Sequence, residues 1–303
     1  MNFNTISVSD YGTLKTFFEH NPYNLSIYSP ASVIAWSSQM QRARFAILND
    51  SLLISGDLAD RPDESYLILP ISRSVPGSAA DLHALAKQLG FDRYWYVPGD
   101  FLETLNPLEL EDLFTVEEQT GYEDYIYLTD DLIRLKGNKF SKKRNLIHQF
   151  TREYLNRNRV EIQPIHVEDA AECLDFLEIW CDRHVCDVDQ EFNLACEKKA
   201  LSITLTNLDL LESRGILIRI DGKVSALGIG SRLNGTTAAL NFEKAFAEIK
   251  GLYQYLDNEC AKRLFGEYKY INKESDMNLP NLAESKQSYN PILRIKSFAL
   301  LLR

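Results

Sequence analysis

Apolar residues recur at helical spacing from His166 to Arg183, where Val167, Ala170, Ala171, Leu174, Phe176, Leu177 and Trp180 share one side of a 3.6-residue repeat. Glu197 to Leu211 predicts a second helix. The period then changes. "GILIRIDGKVSALGIGSRLNGTTAALNFEKAF" is three β-runs separated by Asp221-Gly222 and Asn234-Gly235. Both dipeptides suit the positive φ of primed hairpin turns, so an antiparallel meander is predicted. Lys250-Gly251 opens an amphipathic helix with Leu252, Tyr255, Leu256 and Cys260 on its apolar side. There follow a strand at "YKYIN", a polar Pro/Asn loop, a short helix and a closing strand, "ILRIKSFALLL".

The first half is less regular but has comparable parts. Strands are predicted at "RARFAILNDSLLISG", "SYLILPI" and "RYWYV", with helices at Ala79 to Leu89 and near Pro107 to Glu118. No direct sequence repeat is visible. Two α/β halves of ordinary domain size are nonetheless expected, residues 1–150 and 151–303. The order of the second half is two helices, three antiparallel strands, helix, strand, helix, strand. It resembles the GNAT acyltransferase fold, in which two adjacent strands splay apart and an acyl donor lies in the gap. The expected class is therefore α/β (α+β), with two tandem GNAT-like domains built on mixed, largely antiparallel sheets.

Composition narrows the function. The chain has 303 residues, 45% of them hydrophobic, and 43 acidic against 33 basic side chains. That balance excludes a general polyanion-binding coat. The opening "MNFNTISVSDYG" has no basic stretch followed by an apolar core, and no apolar run approaches the ~18 residues of a membrane span. A soluble, cytoplasmic protein is expected. Five cysteines with no CxxC pair argue against a disulfide framework. "WCDRHVC" brings Cys181, His184 and Cys186 close together but offers no fourth ligand at zinc spacing, so small buried thiols are expected and no metal.

Against the acidic total stands one basic island. Arg134 to Arg159 holds nine Lys/Arg and a single acid, Glu153. Ser141 is the expected N-cap of a helix carrying Phe140, Leu146, Ile147, Phe150 and Tyr154 on one side. Lys143 projects within that apolar arc and Arg144 at its edge. Both lie in the first turn, where the macrodipole disfavours cations, so an anionic ligand or buried acidic partner is expected to offset the repulsion. A solvated charge run with long stems packed over the core is the competing reading.

"YIYLTDDLIRLKGNKFSKKRNLIHQF" resembles a signature of the phosphatidylglycerol lysyltransferase C-terminal-domain family, through Leu132, Leu135, Lys136, Gly137, Lys143, Arg144, Asn145 and Phe150. "NFEKAF" is similar to its Glu-Lys-Ala strand through Glu243, Lys244 and Ala245. "INKESDMNLPNLAESKQSYNP" is similar to its closing signature through Asn272, Glu274, Asp276, Leu282, Lys286, Ser288, Tyr289 and Pro291. The N-terminal half matches more loosely, through "WSSQMQRARFAILNDSLLI". This resemblance implies a tandem GNAT fold and transfer of an acyl or aminoacyl group. The donor would be an aminoacyl-tRNA or an acyl-coenzyme A, and the acceptor a small molecule, peptide or lipid bearing an amine or hydroxyl. Two departures stand out. The closing signature's Gly and Arg are replaced by Asn281 and Ala283, and the glycine-rich pyrophosphate loop is reduced to Lys250-Gly251.

Aminolysis of an ester or thioester needs a neutral amine, a proton acceptor and donors for the oxyanion. Glu243 and Glu274 are the candidate bases, and Tyr289 a candidate donor to the leaving oxygen. Lys143, Arg144, Asn145, Lys244, Lys250, Gly251 and Lys286 are the candidate ligand-binding residues. The alternative is a degenerate scaffold that binds a small anion or a protein without turnover. It would be favoured if Arg144, Glu243, Glu274 and Lys286 proved scattered.

Overall fold

The computed structural model describes residues 1–37, 41–58, 61–73, 77–183 and 188–303. The chain forms two compact units. The first comprises Met1–Tyr125, Glu274–Glu284 and Leu293–Arg303; the second comprises Ile126–Lys273 and Ser285–Ile292. The boundary thus falls at Tyr125 rather than at residue 150, and the basic helix lies inside the second unit instead of joining two halves.

The first unit runs β1 (Asn4–Thr5), α1 (Tyr11–Phe18), α2 (Pro30–Trp36), β2 (Gln41–Leu48), β3 (Ser51–Leu58), β4 (Arg61–Leu67), α3 (Ala79–Leu89) and β5 (Arg93–Pro98). α4 (Gly99–Leu102), α5 (Pro107–Leu113) and β6 (Phe114–Glu118) follow. The helix expected to reach Glu118 stops at Leu113. Phe114, Thr115 and Val116 are β-formers that pair with a distant strand, and this outweighs the helical spacing before them.

β7 (Asp124–Leu128) leads into α6 (Thr129–Arg134) and α7 (Ser141–Glu153), the basic helix. Ser141 is its first residue and not a side-chain cap; a 3₁₀ turn at Asn138–Phe140 feeds directly into it. Then come β8 (Val160–Pro164), α8 (Ala170–Asp182), α9 (Val188–Thr206), β9 (Arg214–Ile220), β10 (Lys223–Arg232), β11 (Thr237–Ala245), α10 (Leu252–Arg263) and β12 (Tyr270–Asn272). The chain closes with α11 (Pro280–Gln287), β13 (Leu293–Ile295) and β14 (Ser297–Leu302).

Each unit therefore repeats one order: strand, two helices, three antiparallel strands, helix, parallel strand. The sheets run β1-β2-β3-β4-β5 and β8-β9-β10-β11-β12 in the same sense, with β4–β5 and β11–β12 parallel. This is the expected mixed, largely antiparallel architecture, repeated in structure although no repeat is visible in sequence. One assignment changes. The closing segment breaks at Lys296, and β14 lies between β5 and β6 of the first unit, antiparallel to both. In the second unit β7 takes the place beside β12, pairing Ile271 with Tyr127.

The meander is as expected, and its first turn uses positive φ at Asp221 (52°) and Gly222 (79°). The second does not. At Asn234-Gly235 the side-chain Oδ1 of Asn234 accepts from the amides of Thr236 and Thr237, each at 3.0 Å, and this Asx turn replaces a primed one. Val224 to Ser231 of β10 are all buried, as in a sheet covered on both faces. α8 supplies Cys173, Phe176, Leu177 and Trp180 to this core, and α10 supplies Leu252, Leu256 and Cys260.

Candidate functional site

The site grows from an unequal pair of strands. β12 pairs with β11 only at Tyr270–Thr237, Ile271–Ala238 and Asn272–Ala239, whereas β11 runs on to Ala245. Asn241 is an extra residue in β11, inserted where the β10 register steps from Ile229–Phe242 to Gly230–Leu240. Its Oδ1 accepts from Ser231 Oγ at 2.8 Å. Such a bulge re-aims the residues that follow it. Beyond it, Glu243 and Lys244 point to opposite faces.

Glu243 enters a buried charge cluster. Lys273, the residue after β12, sets its Nζ 3.1 Å from Glu243 Oε2 and 2.7 Å from Asp257 Oδ2 of α10. Asp257 is 2% exposed, and its second oxygen, Oδ1, has no hydrogen-bond partner among the described residues. Burial alone would lower the Lys273 pKa, but Asp257 and Glu243 override it and hold the ammonium above the ordinary lysine value. Burial raises the Glu243 carboxyl, against the pull of Lys273. A carboxylate so raised is a better proton acceptor than an exposed one.

α7 contributes Lys143, which is 8% exposed despite its place in a basic run. Its Nζ lies 3.7 Å from the centre of the Tyr289 ring and donates to Ser288 Oγ at 2.6 Å. Burial pushes its pKa down to about 8, with Asp257 and Glu243 acting upward and Lys273 downward. The Tyr289 ring, 5% exposed, also carries Lys273 Nζ at 4.7 Å. Burial raises the Tyr289 phenol, and Asp257 and Glu243 raise it further. Tyr127 donates to the Lys286 carbonyl at 2.7 Å, and Lys286 Nζ donates to the carbonyl of Lys273.

Glu243, Lys143, Lys286 and Tyr289 thus come together in the second unit. Arg144, Asn145, Lys244, Lys250 and Gly251 have other places. Arg144 donates to the carbonyls of Leu135 and Gly137, the latter at 2.7 Å, closing the turn where Leu135 has φ 47°. Its charge is used on the backbone carbonyls of that left-handed turn. Asn145 is exposed on the far side of α7. Lys244 pairs with Glu197 at 2.8 Å and lies over the Trp180 ring. Lys250 is exposed. Gly251 has φ 86°, and a Cβ there would sit 2.2 Å from the Leu146 carbonyl oxygen, so this glycine serves the packing of α10 on α7. Glu274 belongs to the first unit, with its carbonyl accepting from the Tyr125 amide at 3.3 Å.

Sequence reasoning missed Asp257, Lys273 and the pairing role of Ser288. The one signal for Asp257 was polarity in the wrong place: Asp257, Asn258 and Glu259 interrupt α10 at positions that are all buried. Cys181 is half-buried on α8, and burial raises its thiol; His184 and Cys186 lie outside the described residues. No group of three or more His, Cys, Asp or Glu among the described residues is arranged to hold a metal. None of their helices is long and apolar enough to cross a membrane.

Known proteins share this architecture. A conserved protein of unknown function from Bacteroides thetaiotaomicron superposes with a TM-score of 0.87 at 27% identity, over 100% of both chains. The C-terminal domain of a putative lysylphosphatidylglycerol synthetase from Agrobacterium fabrum gives 0.61 at 12% identity, over 96% of this chain and 91% of its own. A tandem GNAT protein from the clavulanic acid biosynthesis pathway gives 0.48 at 9% identity, over 99% and 98%. None of the curated protein sequences matches the chain. The repeated order of elements is the order expected of GNAT-like domains. The sequence profile described as "Phosphatidylglycerol lysyltransferase, C-terminal" matches residues 28–300, and the chain therefore belongs to that family.

Proposed function

We propose that the second unit transfers an acyl or aminoacyl group from an activated ester or thioester to an amine or hydroxyl acceptor. The observation that carries this reading is the position of the Glu243–Lys273–Asp257 cluster. It lies just past the last β11–β12 pair, where a GNAT-like sheet opens to receive its donor. Glu243 is the base that takes the acceptor's proton. Its side chain keeps 19% exposure, enough for contact with a substrate, while Lys273 holds it in place. The Tyr289 phenol provides a hydrogen-bond donor for the oxygen on which negative charge develops.

The donor is an aminoacyl-tRNA ester in preference to a coenzyme A thioester. Gly251, the remnant of a pyrophosphate loop, is consumed by packing against Leu146 and Phe150. Lys136 and Lys142 remain exposed on the basic segment, where a nucleic-acid backbone could be met locally. Such a donor would place the reaction in the cytoplasm. Binding without turnover is the second reading, favoured by the engagement of Arg144 and Lys244 with partners of the fold.

Native mass spectrometry against charged tRNA and coenzyme A thioesters, followed by transfer assays with a panel of small amines and alcohols, tests the proposal. Glu243→Gln should fold normally and lose about 10²–10⁴-fold in rate. If a donor binds and no acceptor is modified, binding without turnover takes its place; a variant that keeps full activity removes Glu243 as the base.

A further inference from the structure

Three lysines meet in the cluster, and they are not equivalent. Lys273 has two carboxylates, and Lys286 has the carbonyl of Lys273. Lys143 forms no ion pair among the described residues. Its one polar contact there is Ser288 Oγ, 145 residues away in the chain, and the face of Tyr289 covers the rest of its head. The hydroxyl has a second contact, donating to the Ser285 carbonyl at 2.5 Å. Ser288 itself is exposed, whereas Lys143 is buried.

We propose that Ser288 and Lys143 form a nucleophile–base pair through which the acyl group passes as an ester on Ser288 Oγ. A lysine activates a serine when it is desolvated enough to hold a free lone pair near neutral pH and lies within hydrogen-bond reach of the hydroxyl. Burial supplies the first condition, and the 2.6 Å separation supplies the second once Lys143 is neutral and the hydroxyl turns from the Ser285 carbonyl to donate to Nζ. The charged and titratable groups around Lys143 are Asp257 and Lys273, Glu243 on β11, and the Tyr289 phenol after α11.

The step balances without a further reactant. Ser288 Oγ attacks the donor carbonyl, its proton passes to Lys143 Nζ, and that proton leaves with the departing alcohol or thiol of the donor. The acceptor amine or hydroxyl then attacks the ester carbonyl and gives its proton to the neutral lysine or to Glu243. Ser288 Oγ departs as the acyl bond to it breaks and regains a proton from the same groups. The inference rests on the acyl-transfer reading but alters its route from direct to two-step transfer.

The full chain is treated with p-nitrophenyl acetate as a minimal activated acyl donor. Release of p-nitrophenolate gives the rate, and peptide mapping gives the site. An acetyl ester on Ser288, removed by neutral hydroxylamine, is expected. Its formation should accelerate as pH rises through about 8, the value to which burial pushes Lys143. Ser288→Ala should abolish the adduct, and Ser288→Cys should restore one. Lys143→Arg keeps the positive charge but cannot act as a base here, and should slow acylation about 10²–10⁴-fold. Circular dichroism separates that loss from misfolding.

An acetyl amide on Lys143, or label on surface lysines with Ser288 unmodified, overturns the pair. Transfer from a true donor by Ser288→Ala at the wild-type rate also overturns it while leaving the acyltransferase reading intact. An ester on Ser288 with no transfer to any acceptor supports the pair and removes that reading instead.

Discussion

Lys273 Nζ stands 2.7 Å from Asp257 Oδ2, and both side chains are almost wholly removed from solvent, at 9% and 2% exposure. A pair so placed gives little net stability against an apolar alternative, but removing one partner leaves a buried charge alone. Lys273→Met should therefore lower unfolding stability by about 3–5 kcal/mol. Urea denaturation measures it, and a loss near zero would mean that water or a counter-ion reaches Asp257.

Lys143 predicts a pH dependence of the opposite sense to that of most paired lysines. Its folded pKa is lowered to about 8 from the ordinary 10.5, so between those values the unfolded chain binds more protons than the folded one. Stability linked to Lys143 must rise with pH across that window, and the penalty of burying the ammonium is fully present below about 8. Urea unfolding of wild type and Lys143→Met, from pH 7 to 10, should show wild type gaining on the variant. A constant difference would place the folded pKa outside the window.

Arg144→Ala is expected to weaken the fold and not ligand binding. Its guanidinium serves the carbonyls of Leu135 and Gly137, and losing charge-assisted bonds of this kind costs about 1.5–3 kcal/mol. Thermal unfolding should fall while the affinity for the proposed charged-tRNA donor, measured at a temperature where both proteins are folded, stays unchanged. A variant of full stability that no longer binds would return Arg144 to the site.

Gly251→Ala combines a backbone cost with a steric one. At φ 86° an alanine is strained by about 1–3 kcal/mol, and its Cβ would meet the Leu146 carbonyl oxygen, a backbone atom that cannot swing aside. The docking of α10 on α7 should loosen, which hydrogen exchange at the amides following Gly251 would detect. Unchanged protection would show that the two helices can separate at no cost.

The two-helix, three-strand, helix, strand order of the second unit was legible because its information is local: apolar spacing, a period change and the Asp221-Gly222 turn. The partner of "SFALLL" was not, because β5 and β6 lie far upstream and nothing in an apolar run names its neighbour. The site divides in the same way. Glu243, Lys143, Lys286 and Tyr289 lie in recognisable signatures, and Lys143 also stood out as a cation within an apolar arc. Lys273 looks like an ordinary surface charge until the fold pairs it, and the polar run Asp257, Asn258 and Glu259 in α10 does not by itself name a partner. Arg144 shows the converse: its position at the helix start suggested an anion, yet its partners are neutral carbonyls created by a turn that only the backbone reveals.

β14 also sets a timetable. Residues 297–302 fill the place between β5 and β6, so a chain emerging from the ribosome holds an open sheet from the making of β6 until β14 follows. Sequence-distant pairing of this kind is slow to form and exposes strand edges meanwhile. Because that strand follows the second unit in the chain, a gene cut at Tyr125 would deliver a first unit lacking an interior strand. Selection must therefore act on the two units as one inherited object.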